Sequence, residues 1–140
     1  VYLKTRDISK ENSIIDVHEN YDALLKDLLL SYKNDSINVI TKNISKIDWN
    51  SLSDLKKITL FRVLQELMTN MRKHSKASLV ALTVKASGKK ITIDYKDNGI
   101  GCNLIKHNGL HNTENRMASI NGTITFESEP GSGFKVQITV

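Results

Sequence analysis

The stretch ITIDYKDNGIG, residues 91–101, is the part of this sequence that decides the fold. Ile91, Ile93 and Tyr95 alternate with polar residues, which is the two-residue period of a half-buried strand. If the alternation persists, Asp97 lies on the same inward face. A carboxylate on that face is costly unless it is paired. The pattern therefore predicts a strand that ends in a carboxylate with a functional role.

The residues after Asp97 are open to two interpretations. Glycines at positions 99 and 101 let the backbone approach another group closely. An acceptor-only carboxylate at the floor of a pocket suits an exocyclic amine such as that of adenine. The alternative is a plain Asp97-Asn98-Gly99 turn that closes a hairpin. This stretch alone does not separate a nucleotide pocket from a turn.

The elements on either side predict an α/β (α+β) two-layer sandwich, with a mixed, mostly antiparallel sheet and helices on one face. Apolar spacing predicts one helix over 21–32 and a second from Ser53, an N-cap, to about Ser75. A third, short helix ends near Ile120. Strands are predicted over 37–41, 78–86, 91–96, 124–126 and 134–140.

Composition limits the classes of protein that this chain can belong to. Its 140 residues suit one domain, and no apolar run is long enough for a membrane span. A single cysteine excludes an internal disulfide framework and fits a reducing compartment. The net charge of +5 is compatible with nucleic acid, an acidic membrane surface or a phosphate ligand. Because the lysines are spread without interleaved aromatic residues, we expect no nucleic-acid partner.

The second predicted helix carries three polar residues along the border of its apolar stripe. Glu66, Asn70 and His74 recur at every fourth position and therefore form a row on one side of the helix. One interpretation is that Glu66 and Asn70 line the edge of a cleft. The other is a solvated flank with ordinary helix pairs, which the spacing taken alone favours.

Two further patterns lie downstream of the glycines. Gly109-Leu110 opens a helix after a loop, and backbone N–H groups at such a helix start can bind phosphate. Cys102, His107 and His111 form a Cys-x4-His-x3-His pattern, so a zinc site is an alternative, although it lacks a clear fourth ligand.

Taken together, these segments resemble the sensor histidine kinases. The asparagine box and the glycine boxes of that family match, in chain order, residues 64–70 with Lys73-His74, residues 97–101, Gly109-Leu110 with Asn115-Arg116, and residues 131–134. The short separation between the first two glycine boxes is most similar to a compact-lid subfamily that contains nitrate and membrane-fluidity sensors.

The resemblance implies a Bergerat-type ATP-binding fold, shared with gyrase, and the catalytic domain of a protein-histidine kinase with ATP and Mg²⁺ as cofactors. It implies that Asp97 accepts the adenine amine and that Asn70 holds Mg²⁺. Glu66 would support the metal or polarise the attacking group, so Glu66 and Asn70 are the expected catalytic residues. The other expected nucleotide contacts are Lys73, His74, Gly99, Gly101, Lys106, Gly109 and Leu110. His107 stands where the family usually has a further glycine.

The resemblance also implies partners. The domain would donate the γ-phosphoryl group to a histidine on a separate or upstream dimerisation domain, for relay to an aspartate of a response regulator. No acceptor motif is recognisable, since His18-Glu19 lies outside any four-helix-bundle pattern. We interpret residues 1–19 as a connector or the tail of a dimerisation helix, and 20–140 as the ATP-binding catalytic domain.

We further expect a cytoplasmic location for this domain, within a full-length protein that is a membrane-anchored homodimer; the domain alone would be monomeric. Two alternatives within the same superfamily are an ATP hydrolase like gyrase and a serine kinase of the anti-sigma type.

Overall fold

A computed structural model describes residues 17, 20–100, 109–128, 131 and 133–140. Its helices are α1 (Tyr21–Leu30), α2 (Asp54–Asn70) and α3 (Gly109–Ala118). Its strands are β1 (Asn38–Lys42), β2 (Leu79–Ser87), β3 (Lys90–Asp97), β4 (Thr123–Ser128) and β5 (Phe134–Thr139). Short 3₁₀ turns at Ile44–Lys46 and Trp49–Ser51 connect β1 to α2, and a π-helical turn, Met71–Ser75, follows α2.

The five strands form one sheet in the order β1-β2-β3-β5-β4. Only β1 and β2 run parallel, and every other neighbouring pair is antiparallel. The predicted mixed, mostly antiparallel sheet is therefore confirmed. Strand β3 is central, so Asp97 at its carboxyl end lies between Val80 of β2 and Phe134 of β5.

The helices cover the apolar face of the sheet. Along β3, buried positions alternate with more exposed ones, as the two-residue period predicts. The buried side of α2 is formed by Leu60, Val63, Leu64, Leu67 and Met68. The predicted two-layer sandwich is thus confirmed. Among the described residues, no helix combines the length and the apolar character that a membrane crossing requires.

The ends of α2 differ in how well the sequence predicts them. Ser53 is the N-cap, and its hydroxyl accepts a hydrogen bond from the Lys56 backbone N–H at 3.3 Å. The α-helix ends at Asn70, where the prediction had one regular helix continuing to about Ser75. A π-helical turn contains more residues than an α-helical turn. His74 therefore leaves the row of Glu66 and Asn70, and its side chain is exposed.

The chain before α1 contributes to the core. Val17 is 2% exposed, and its carbonyl oxygen accepts a hydrogen bond from the buried Lys57 ammonium at 3.1 Å. Residues 1–16 and 18–19 lie outside the described residues, so the division between a connector and a domain that begins at residue 20 stays a prediction. Helix α1 ends at Leu30, and Tyr32 follows it in a turn.

Truncating Ile93 and truncating Ile40 to alanine should lower the free energy of unfolding by very different amounts, because the two side chains differ in burial. Ile93 is 0% exposed in the central strand, whereas Ile40 is 39% exposed on the edge strand. Ile93→Ala should lower the free energy of unfolding by about 2–5 kcal/mol. Ile40→Ala should lower it by less than about 1 kcal/mol. Urea unfolding measures both, and equal losses would contradict the assigned burial.

Candidate functional site

The carboxyl end of β3 is joined to the end of α2 through backbone contacts. The Ile100 N–H donates to the Ser75 carbonyl oxygen at 2.7 Å. A Cβ on Gly99 would lie 2.7 Å from the Ser75 Cβ and closer still to the Ser75 carbonyl oxygen. Only glycine allows this approach. The helix that carries Glu66 and Asn70 is therefore held against the residues that follow Asp97.

Asp97 is buried, and each of its carboxylate oxygens accepts one hydrogen bond from a neutral donor. Its side chain is 3% exposed; Oδ1 accepts from the Gly99 N–H at 2.9 Å and Oδ2 from the Tyr95 hydroxyl at 2.7 Å. This meets the expectation that an inward carboxylate needs partners. A carboxylate has about four acceptor sites. Two therefore remain after these bonds from the described residues, so Asp97 can accept hydrogen bonds from a ligand that donates.

Asn98 attaches the loop to the start of β2. Its Oδ1 accepts from the backbone N–H groups of Ser78 and Leu79 at 2.9 and 3.0 Å, and its Nδ2 donates to the Ser78 hydroxyl at 2.9 Å. The antiparallel neighbours of β3 are β2, which precedes it, and β5, which begins at Phe134. The alternative of a turn that closes a hairpin after Asp97 is therefore wrong.

The glycines before β5 pack on the same loop. The Gly131 N–H donates to the Ile100 carbonyl oxygen. Gly133 has a φ of +81°, and a Cβ there would lie 2.5 Å from the Asp97 carbonyl oxygen. By their sequence alone, these two glycines are typical of a turn between two strands. Their contact with the Asp97 loop follows from the pairing of β5 with β3, which no local pattern records.

Glu66 and Asn70 are only partly exposed, so the solvated-flank interpretation does not describe them. The Glu66 carboxylate lies 3.7 Å from the Arg116 guanidinium of α3, with Glu66 23% and Arg116 49% exposed. The Nδ2 atom of Asn70 is buried and has no hydrogen-bond partner among the described residues. A buried amide group without a partner costs free energy. Asn70 is therefore suited to a ligand.

Basic side chains occupy the π-helical turn that follows Asn70. Lys73 and His74 are exposed. Arg72 instead packs on the turn that follows α1, with its guanidinium 4.3 Å from the centre of the Tyr32 ring and a 3.3 Å hydrogen bond to the Ser31 carbonyl oxygen. π-Helical turns are frequent at functional sites. The turn thus presents positive charge immediately after Asn70.

The remaining predicted residues are described in part or not at all. Gly101 and Lys106 lie outside the described residues, as do Cys102 and His107 of the zinc alternative. Gly109 and Leu110 begin α3, but the structure describes only their backbone.

The sequence itself matches a known family over more than half of the chain. Residues 56–140 match the model described as histidine kinase-, DNA gyrase B-, and HSP90-like ATPase. The chain belongs to this ATPase family. The matched region begins in α2 and runs to the last residue, so it includes every described element of the candidate site.

The sequence relatives of this ATPase-family chain are sensor histidine kinases. Sensor histidine kinase ComP of Bacillus subtilis is 30% identical over 60% of this chain and 12% of its own length. The kinase/phosphatase UhpB of Salmonella typhimurium is 28% identical over 81% of this chain and 23% of its own. Nitrate/nitrite sensor protein NarQ of Escherichia coli is 33% identical over 59% of this chain and 16% of its own length. The chain thus spans less than a quarter of each, and the predicted family is confirmed.

Solved structures show that the fold is shared. The histidine kinase domain of the blue-light activated histidine kinase from Erythrobacter litoralis EL346 superposes with a TM-score of 0.64 over 86% of this chain and 58% of its own. Full-length ShkA superposes with a TM-score of 0.65 over 90% of this chain and 30% of its own. At identities of 14% and 17% the likeness concerns the fold, and the predicted histidine-kinase ATPase fold is confirmed.

Alanine variants of Gly131 and Gly133 should differ in stability, because both positions have a left-handed backbone but only a Cβ on Gly133 meets another atom. Gly131 and Gly133 have φ values of +84° and +81°, but a Cβ on Gly131 would meet nothing within 4 Å. Gly131→Ala should cost about 1–2 kcal/mol of stability, through the left-handed backbone alone. Gly133→Ala should cost more, because its Cβ also meets the Asp97 carbonyl. Thermal unfolding of both variants checks this, and equal losses would contradict the clash.

Proposed function

We propose that this domain binds Mg²⁺-ATP and donates the γ-phosphoryl group to a histidine of the dimerisation domain of the same protein, for relay to an aspartate of a response regulator. The observation that carries the proposal is the buried Asp97 carboxylate, which keeps acceptor capacity next to the helix of Asn70. Its sequence relatives are named sensor histidine kinases. ShkA, which shares the fold, was solved in complex with the ATP analogue AMPPNP.

Asp97 accounts for the choice of base. A carboxylate accepts hydrogen bonds and cannot donate them when ionised. The exocyclic amine at position 6 of adenine donates, whereas guanine carries an acceptor oxygen there. ATP should therefore bind more tightly than GTP. Gly99, and Gly101 by the family resemblance, would let the chain pass close to the base and ribose.

The chemistry of Glu66 and Asn70 fits a magnesium ion that arrives with the nucleotide. Mg²⁺ prefers oxygen ligands and is usually held by few protein groups together with substrate phosphates. The two side chains are one helical turn apart and offer a carboxylate and an amide oxygen. The metal would take the Oδ1 atom of Asn70, whereas its Nδ2 atom, a donor without a partner among the described residues, would suit a phosphate oxygen. A bound Mg²⁺ would neutralise phosphate charge.

The residues around the phosphates would supply positioning and charge, which is most of what phosphoryl transfer requires from a protein. The exposed Lys73 and His74 lie in the π-helical turn that follows Asn70, which supports phosphate contacts there. We propose that Lys106, Gly109 and Leu110 also contact the phosphates, in the segment that would cover the bound nucleotide.

Glu66 would polarise the attacking group. Its carboxylate lies near the Arg116 guanidinium, so the helix that Gly109 opens is linked electrostatically to α2. A partly exposed pair at this distance adds little stability by itself. Its value would lie in orienting the carboxylate of Glu66 toward the reacting groups.

Replacing Asp97 tests the adenine contact. Asp97→Asn should weaken ATP binding about tenfold or more, because a hydrogen bond to a charged acceptor is lost. The matched control is Asp94→Asn on the same strand, where the carboxylate is 38% exposed and lies 3.6 Å from the Lys85 ammonium. The measurement is the rise in melting temperature with Mg²⁺-ATP. If Asp97→Asn keeps the full rise, the assignment of this pocket fails.

Replacing Glu66 tests the reaction separately from binding. Glu66→Gln keeps a side-chain oxygen that can face Mg²⁺, so ATP affinity should stay within about threefold. Phosphoryl transfer should fall by roughly 10²–10⁴, the usual contribution of a general base. The measurement is acid-labile phosphate on a dimerisation domain that carries the acceptor histidine, with the exposed Glu127→Gln as control. Inorganic phosphate without labelled protein would favour the hydrolase alternative, and acid-stable phosphoserine would favour the serine kinase.

A further inference from the structure

Tyr95 is a buried residue that the proposed mechanism does not use. Its side chain is 2% exposed, and its hydroxyl donates to Asp97 Oδ2 at 2.7 Å. Tyr95 and Asp97 are two positions apart on β3, so both point to the inner face of the sheet. The hydroxyl and the carboxylate that it reaches therefore belong to the same strand.

The two donors on Asp97 bind to different oxygen atoms. Gly99 N–H donates to Oδ1 and the Tyr95 hydroxyl donates to Oδ2. The torsion that rotates a carboxylate is broad and poorly defined when the group is free. One donor on each oxygen restricts that rotation. The two remaining acceptor sites then have defined directions for a ligand.

The neighbouring strands offer Asp97 no other side-chain donor among the described residues. Its register partners are Val80 on β2 and Phe134 on β5, and neither side chain carries a polar atom. The rings of Tyr95 and Phe134 meet edge to face, with centroids 6.2 Å apart. Packing of the ring therefore places the Tyr95 hydroxyl at the carboxylate.

The hydroxyl remains a donor at working pH. Burial, and then the neighbouring Asp97 charge and hydrogen bond, raise the pKa of Tyr95 well above its ordinary value. A neutral phenol next to a carboxylate donates its proton into the hydrogen bond and adds no charge. Oδ2 thus keeps its second acceptor site, which a competing salt bridge would occupy.

We infer that Tyr95 is a specificity-determining positioning residue whose hydroxyl orients the Asp97 carboxylate to accept the 6-amino group of an adenine nucleotide. The inference rests on the proposed function, because it assumes that ATP binds at Asp97. It goes further by assigning part of the base discrimination to a residue that does not itself touch the nucleotide.

The test compares two ligands that differ in one amino group. ATP carries the 6-amino group, and purine riboside 5′-triphosphate lacks it. Tyr95→Phe removes only the hydroxyl and keeps the ring that packs on Phe134. The matched control is Tyr21→Phe, because Tyr21 is also buried and its hydroxyl donates to the Lys57 carbonyl oxygen at 2.6 Å, near the start of α2. Dissociation constants are measured by calorimetry with Mg²⁺ for the wild type and both variants.

We expect Tyr95→Phe to lose part of the preference for ATP over purine riboside 5′-triphosphate. Tyr95→Phe should weaken ATP binding about fivefold to tenfold, which corresponds to one hydrogen bond, and change the analogue by less than about twofold. Tyr21→Phe should leave both dissociation constants unchanged. A similar loss for both ligands would assign the hydroxyl a structural role only, and unchanged discrimination in Tyr95→Phe would also overturn the inference.

The wild type distinguishes failure of this inference from failure of the proposed function. If the wild type binds ATP and the analogue equally, ATP binding stands, but the 6-amino group is not recognised and the inference is wrong. If the wild type binds neither ligand, the proposed function is wrong and the inference falls with it.

Discussion

The backbone hydrogen bond from Ile100 to Ser75 is the contact on which the site depends. It joins the π-helical turn that follows α2 to the loop that follows β3, and this close contact requires that Gly99 carry no side chain. Without it, Asn70 and Asp97 would belong to two unrelated elements. With it, a helix that offers an amide and a carboxylate faces a loop that offers a buried acceptor. The π-helical turn supplies the geometry, because it ends at Ser75.

The buried charged side chains Asp97 and Lys57 both form hydrogen bonds with neutral groups. Asp97 is satisfied by a hydroxyl and a backbone N–H, and Lys57 by a backbone carbonyl and the Asn50 amide oxygen. Neither of these buried groups is paired with an opposite charge in its described contacts. For Asp97 this arrangement leaves acceptor sites open to a ligand, whereas a buried salt bridge would occupy them. The net charge of +5 is thus a poor guide to function, and a few placed groups are a better one.

Local patterns predicted the parts of the fold that local forces determine. Alternation placed Asp97 on the inner face of its strand, and Ser53 was recognisable as a helix cap. The helical segment reaches Ser75 as predicted, but beyond Asn70 it is a π-helical turn, so the predicted α-helical row does not extend to His74. The partner of Glu66 was missed as well. Arg116 lies fifty residues further along the chain, and no spacing rule connects them.

The sequence by itself determined the fold class, the order of most elements and the family, because periodicity, capping residues and glycine boxes depend on neighbouring residues only. The tertiary structure decided what each motif contacts. It placed Gly133 on the Asp97 carbonyl, set Phe134 against the Tyr95 ring whose hydroxyl donates to the carboxylate, and left the Nδ2 atom of Asn70 buried without a partner among the described residues. The physical reason is the strand order, which seats β5 beside β3 and thereby brings together residues that are far apart in the chain.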